Sequence, residues 1–368
     1  MARQPWRLIL GLTLMATLIL SVEGVASVSA TAATSYGTVY ALTNSLHGNS
    51  VLIFQRSSDG TLTKVGSVAT GGRGSGVSLG SEGSLVVAAS GQWLLAVNAG
   101  SNTVSALRIQ AGGGLQLANV AFSGGTNPVS VTEHDGLVYA VNAGSDSLGG
   151  LRLSSSGVAR IPHSIRALST AGVGPGQVSF SPDGRAVLVT EKNTNLIDSF
   201  SVNANGRLGP LHTQASSGQE PFGFALTGGF LVASEAFGGA PGASAASSYE
   251  VSANGMLQTV SASVPDGQTA ACWALAFPGS TSVYVTNTGS NTVSRYVVGP
   301  NGALTLADAV AAGTGLAPAD MASVSGDLYV RNGDEGTISE YSVDSAGALT
   351  PLAKADGLPK VQAGLAAR

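Results

Sequence analysis

A phrase that recurs about every 48 residues limits this chain to a few architectures, all of them repetitive. Its clearest copy runs from Val283 to Tyr296: an alternating strand, a polar turn built on Gly289 and Asn291, and a second alternating strand ending Asn291-Thr-Val-Ser-Arg-Tyr296. This is a β-hairpin pattern. Counterparts of the closing residue stand at Phe54, Leu107, Leu151, Phe200, Tyr249 and Tyr341, so there are seven copies, spaced 44 to 53 residues apart. Strand patterning at such a period points to a radial array of small sheets, a β-propeller.

Each repeat reads as four strands. An inner strand follows a Gly/Pro-rich entry, and a second has the form apolar-Tyr/Leu-apolar-x-Asn/Glu. A third is the Thr-Val-Ser-x-Tyr strand, and an outer one follows a turn glycine such as Gly60, Gly157, Gly206, Gly255, Gly302 or Gly347. Repeat one begins at its second strand, Val39 to Thr43, with no inner strand ahead of it. The tail Gly357 to Ala367 has the entry and apolar run of an inner strand with no hairpin after it. Placing the tail innermost in blade one completes every sheet and limits exposed edges. The expectation is an all-β, seven-bladed β-propeller of four-stranded antiparallel blades, closed by the C-terminal strand.

Composition agrees with short strands and tight turns: 51 of 368 residues are Gly, 43% are hydrophobic and only 10% are charged. Length alone suggests two domains, but the unbroken repeat favours one, residues 31–368. Residues 1–30 read as a signal peptide. Arg3 and Arg7 precede an apolar run, Leu8 to Leu20, that is shorter than a membrane span, and Val28-Ser29-Ala30 has the form of a cleavage site. The mature chain is expected to be secreted or extracytoplasmic, in the bacterial cell envelope or outside the cell, without a transmembrane anchor.

The formal charge of the whole chain is −4, which disfavours nucleic acid as a partner. Cys272 is the only cysteine, so no intrachain disulfide forms. A closed ring with its own core is expected to be monomeric.

The phrases Val283-Tyr-Val-Thr-Asn287, Tyr139-Ala-Val-Asn142, Phe180-Ser-Pro-Asp-Gly184 and the repeated Asn-Thr-Val-Ser resemble YVTN-type seven-bladed propellers. They are most similar to the lactonase-like group, which includes bacterial 6-phosphogluconolactonase and fungal carboxymuconate-cyclising enzyme. The resemblance covers about residues 36 to 367. It implies the propeller fold, ligands bound at the face where the inner-strand entries and the turns between second and third strands open, and lactone chemistry by acid, base and cationic residues without metal. Many relatives carry His at the start of an inner strand where this chain has Gln177, so the activity does not transfer automatically.

On that face the ends of the second strands place Asn98, Asn142, Glu191, Glu235, Asn287 and Asn332, with Thr43 or Asn44 completing the ring. Asn at such positions commonly caps strand ends and satisfies turn amides. The two Glu break the pattern and are the catalytic candidates. Departures from the repeat add ligand-binding candidates: Arg73 in the insertion Gly71 to Gly83, Gln177, Lys192, Trp273 and Arg331, with Asn98, Asn142, Asn287 and Asn332 beside them. Phe237 and Cys272 are further departures, although Cys272 and Trp273 equally suit a core.

Other chemistries find no support. Gly76-Val-Ser-Leu-Gly80 matches a nucleophile-elbow pattern, but a strand follows it where a helix is required. The four His have no metal-ligand spacing, and no phosphate or dinucleotide loop precedes a helix, so neither metal nor cofactor is implied. Two readings remain. One is a secreted lactonase-like hydrolase in which Glu191 or Glu235 is the general base and Arg73 or Arg331 orients an acidic metabolite. The other is a non-catalytic propeller at the cell surface that binds a small molecule, glycan or protein at the axial face.

Overall fold

The computed structural model describes residues 1–2 and 37–368; all but the first two residues of the expected signal peptide lie outside the described residues. Residues 37–368 build seven antiparallel sheets, one per repeat. Blade 4 shows the pattern: inner strand Pro175–Phe180, then Ala186–Glu191, Leu196–Val202 and outer strand Leu208–Ala215, in spatial order. The alternation of the third strands places Phe54, Leu107, Leu151, Phe200, Tyr249, Tyr296 and Tyr341 inside the packed faces, each at most 2% exposed. The repeated closing residue is thus a core residue in every blade. Among the described residues no helix is long and apolar enough to cross a membrane.

The ring closes as the tail pattern requires. Leu365–Ala367 pairs antiparallel with the second strand of blade 1, with Val39 opposite Ala367 and Ala41 opposite Leu365. Thr38 and Arg368 exchange backbone hydrogen bonds of 2.8 and 2.9 Å, and Leu42 N donates to Gly364 O at 3.0 Å.

Two recurring side chains fasten blade to blade. The tyrosine of the second strand donates its hydroxyl to the turn glycine of the next blade: Tyr40 to Gly113 O, Tyr139 to Gly206 O, Tyr284 to Gly347 O and Tyr329 to Gly60 O, at 2.6–2.9 Å. In blade 5, where Val232 stands in that place, Ser248 on the third strand donates to Gly302 O instead. The asparagine that precedes the third strand adopts a left-handed backbone in three blades, at Asn102, Asn195 and Asn291, and its Oδ1 accepts from the residue that enters the next inner strand, at Asn127 N, Glu220 N and Ala317 N. A sequence read as turn chemistry therefore also sets the angle between sheets.

Blade 3 departs from the pattern. Its outer strand is cut to Gly157–Arg160, and Arg166–Ala167 continues the pairing with the third strand. In blade 5 the irregular loop makes a 3-10 turn, Phe237–Gly239.

Deleting residues 357–368 removes the inner strand of blade 1 and buried Leu358, Ala363, Leu365 and Ala366. At about 2 kcal/mol or more for each buried leucine, together with the loss of ring closure, the truncated chain should melt at least roughly 10 °C lower or fail to accumulate as soluble protein. A thermal melt of the two chains checks this, and a shift within a degree or two would contradict the closure.

Candidate functional site

The insertion Gly71 to Gly83 runs largely over the surface as far as Ser78 and then turns inward. Asn44 grips its start: Nδ2 donates to Ser75 Oγ and Val77 O, and Oδ1 accepts from Ser75 N. From there the chain dives into the axis of the ring. Leu79 N donates to Gln362 O of the tail, Ser81 Oγ to Val129 O of blade 3, and Glu82 N to Gly176 O of blade 4. Trp273 Nε1 of blade 6 donates to Ser81 O at 3.1 Å, Ala274 N to Glu82 Oε2 at 3.1 Å, and Lys192 Nζ of blade 4 to Gly80 O. On blade 5, Gly223 leaves space for the same carboxylate, because a Cβ there would lie 1.9 Å from Glu82 Oε2. Residues 79–83 thus touch inner strands around the ring and plug its centre. Apolar periodicity could not announce this, since a Gly/Ser-rich segment has none.

The plug brings an acid pair together. Glu82 is half-buried within the ring. Burial, and then the nearby Asp320 carboxylate, holds the Glu82 carboxyl well above the usual range. Asp320 on blade 7 accepts from Met321 N at 2.9 Å and Leu365 N at 3.1 Å, and burial pushes it up to about 7. Neither residue was a candidate from the sequence. The signal for Asp320 was present, because the third residue of successive inner strands reads Ser130, Gln177, Gly223, Trp273 and Asp320, while the flanking residues are mostly small or apolar.

The predicted residues scatter around this centre. Asn98, Asn142, Asn287 and Asn332 are fully buried and serve as structural hydrogen-bonding groups, Asn98 also accepting from Asn49 Nδ2 of blade 1 at 3.1 Å. Asn98 Nδ2 donates to Ser105 Oγ, Asn287 Nδ2 to Ser294 Oγ and Asn332 Nδ2 to Ser339 Oγ, at 2.7–2.9 Å, while Asn142 Oδ1 accepts from Ser123 Oγ. Glu235 does the same with acceptors alone. It takes Gly218 N at 2.7 Å and the hydroxyls of Ser247, Ser263 and Ser216. Glu191 accepts from Ser169 N, Ser169 Oγ and Thr194 Oγ1. Both carboxylates are 0% exposed, so each is aimed into its blade and away from the axial mouth.

Arg73 is exposed, and its backbone is tied to the blade 2 turn through Ser101 Oγ and Gly100 N. Arg331 is wholly buried and holds the closing seam: Nη1 donates to Leu42 O at 2.7 Å and to Gly364 O at 3.2 Å, and burial lowers its pKa to about 10. Gln177 Oε1 accepts from Phe224 N, linking two inner strands. Lys192 Nζ sits 4.4 Å above the Phe222 ring, which in turn packs 5.0 Å from Trp273. Burial pushes the Cys272 thiol up to about 12, which makes it a poor nucleophile at neutral pH. Phe237 lies in the blade 5 turn on the loop face. Among the described residues no group of three or more His, Cys, Asp and Glu is arranged for a metal. Lys192 and Trp273 are therefore the two candidates that meet, both on the plug, while Glu191, Glu235, Arg73 and Arg331 stay apart.

Residues 156–275, about a third of the chain, match the family model described as "Lactonase, 7-bladed beta-propeller". No curated protein matches the chain. Among solved structures it is similar to a candidate 6-phosphogluconolactonase from Bacteroides fragilis, at 20% identity and TM-score 0.69, covering 92% of this chain and 99% of that one. A second candidate 6-phosphogluconolactonase, from Bacteroides uniformis, shows 16% identity and TM-score 0.72 over 89% and 98% of the chains. A protein from Lactobacillus plantarum shows 16% and 0.73 over 91% and 99%. At these identities the likeness establishes the fold alone, a seven-bladed β-propeller.

Two outcomes follow from the hydrogen bonds and the charges. By repeat logic Glu235→Asn restores the residue of the other blades, but four donors converge on the longer carboxylate, so the variant should lose about 1–3 kcal/mol, measured by denaturant unfolding. The Asp320 carboxyl also sets a pH dependence. Its folded value of about 7 lies above the usual range near 4, so the folded state holds a proton that the unfolded chain has released. Its contribution is full below about pH 4 and is lost as pH rises toward 7. The wild type should melt roughly 5 °C or more lower at pH 8 than at pH 5, with a smaller difference in Asp320→Asn.

Proposed function

We propose that the chain is an exported, monomeric, lactonase-like propeller that binds a ligand at its loop face without turning it over. One observation carries this reading: residues 79–83 occupy the axis where an open ring would admit a substrate. Placement of the candidate bases supports it, since every recorded donor to Glu191 and Glu235 is a turn amide or hydroxyl of blades 4 and 5. A general base must reach the proton it takes, and these two are directed away from the mouth. Exposed on the loop face are Leu46, Val77 and Leu316, together with Arg73 and His47. Such a surface suits a small molecule or glycan that offers both an apolar face and an anionic or hydroxylated edge.

A second reading, lactone hydrolysis, has its own supporting observation in the Glu82–Asp320 pair. Two neighbouring carboxyls with raised pKa values, Glu82 half-buried and Asp320 buried, are what acid–base chemistry at neutral pH employs. The two readings separate in one experiment. Purified protein would be assayed by pH-stat against sugar and aliphatic lactones, including 6-phosphogluconolactone, and by thermal shift against a glycan and metabolite panel. The expected result is no hydrolysis above buffer for the wild type, Glu191→Gln/Glu235→Gln or Asp320→Asn, with a ligand-dependent melting shift that Val77→Asp or Arg73→Ala weakens. Turnover by the wild type that disappears in a folded Asp320→Asn protein would overturn the binding reading.

A further inference from the structure

Blade 4 breaks a polar pairing that four other blades keep. In blades 2, 6 and 7 the asparagine that ends the second strand donates to a serine on the third strand: Asn98 to Ser105, Asn287 to Ser294 and Asn332 to Ser339. Blade 5 exchanges the asparagine for Glu235 and keeps the serine, Ser247, which becomes the donor. Every one of these pairs joins a donor to an acceptor. In blade 4 both partners change, to Glu191 and Asp198, and two acceptors face each other.

The two carboxyls lie within hydrogen-bonding reach of one another. Asp198 is 0% exposed, and neither of its oxygens has a full hydrogen-bond partner, the Ser169 amide being the one donor near it. Glu191 is also 0% exposed but receives Ser169 N, Ser169 Oγ and Thr194 Oγ1. A buried carboxyl without full hydrogen bonds is costly, so the position needs positive charge between the acids. A shared proton would serve one oxygen of Asp198 and leave the other bare. A metal ion would serve both.

We propose that blade 4 carries a calcium site formed by Asp198 and Glu191 with the hydroxyl oxygens of Ser169 and Thr194. The donors are all hard oxygens, the set that selects calcium or magnesium over transition metals. Two carboxylates and two hydroxyls offer up to six oxygens, within the range calcium accepts and without the strict octahedron that magnesium demands. Ser169 and Thr194 are only half-buried, so they give the ion a way in from the loop face. Their hydroxyls need only rotate to present lone pairs in place of protons. A site with two carboxylates belongs with the weaker calcium modules, with Kd on the order of 10⁻⁴ to 10⁻³ M.

Calcium would bridge the second and third strands of blade 4 to the loop that enters that blade. It therefore stabilises the loop face without taking part in ligand chemistry, and the proposal does not depend on whether the propeller binds or hydrolyses.

The experiment compares wild type, Asp198→Ser and Asp198→Asn after chelator treatment. Asp198→Ser installs the residue of blades 2, 5, 6 and 7, and Asp198→Asn preserves shape, so at least one should fold. Equilibrium dialysis with calcium chloride should give one ion per wild-type chain and none per variant. The wild-type melting temperature should rise by about 3 °C or more between EDTA and 5 mM calcium chloride, less with magnesium, and stay flat in both variants. A wild type that melts identically in EDTA and calcium, or a calcium shift that survives in Asp198→Ser, would overturn the site and leave a proton between the two acids.

Discussion

Every blade of this molecule depends on a seam held by three residue pairs. The sheet of blade 1 is assembled from both ends of the ring, and without Leu365–Ala367 beside Tyr40 it would lack its inner strand. The side chains around the seam are committed to it: Arg331 donates to Leu42 O and Gly364 O, Asp320 accepts from Leu365 N, and Arg56 of blade 1 pairs with Asp327 of blade 7 at 2.5 Å. Charged groups that a sequence would assign to a ligand are thus consumed in closing the circle. Burying Arg331 leaves its Nε and Nη2 without partners, a cost the protein tolerates where the last blade meets the first.

Closure also explains the plug. Seven wedge-shaped sheets leave a hole on the axis, and the inner strands expose backbone groups and side chains toward it. Here the hole is filled by the chain's own residues 79–83, whose carbonyls and amides meet Trp273, Lys192, Val131 and Gly176. The filler is rich in Gly and Ser because it must pass between strands with little side-chain volume. Its one carboxylate, Glu82, fits because Gly223 across the axis has no Cβ. Gln177, standing where many relatives place a histidine, is likewise turned to a neighbouring backbone amide.

The architecture was legible in the sequence because repetition and strand alternation are local signals that reinforce one another seven times. The tail strand was legible as the missing part of an otherwise complete set. The site was far less so, for a physical reason. What Asn102 or Tyr139 does is decided by a group 25 or 67 residues away in sequence, Asn127 N or Gly206 O, and no pattern inside one repeat reveals that partner. Glu191 and Glu235 stood out correctly as departures, but their direction depends on hydroxyls at Ser169, Thr194, Ser247 and Ser263 that a single-repeat reading cannot place. Glu82 escaped notice because it lies in a segment without periodicity, and Asp320 because its axial role emerges only when inner strands are compared at one position.

Departures from a repeat therefore divide by whether the surroundings compensate them. Glu235 replaces an asparagine, but Ser247, Ser263 and Gly218 supply donors, so the change is absorbed as structure. Asp198 replaces a serine and its two oxygens find no full hydrogen bond, and the Glu82–Asp320 pair, although each accepts backbone amides, still keeps two acids close at the centre of the ring. Uncompensated burial costs free energy that a repeat could avoid by retaining its usual residue. Where a propeller keeps such a pair, the missing partner is a proton or a ligand from outside the chain. The count of unsatisfied donors and acceptors at repeat-equivalent positions is then a better guide to function than the identity of the residues at the mouth.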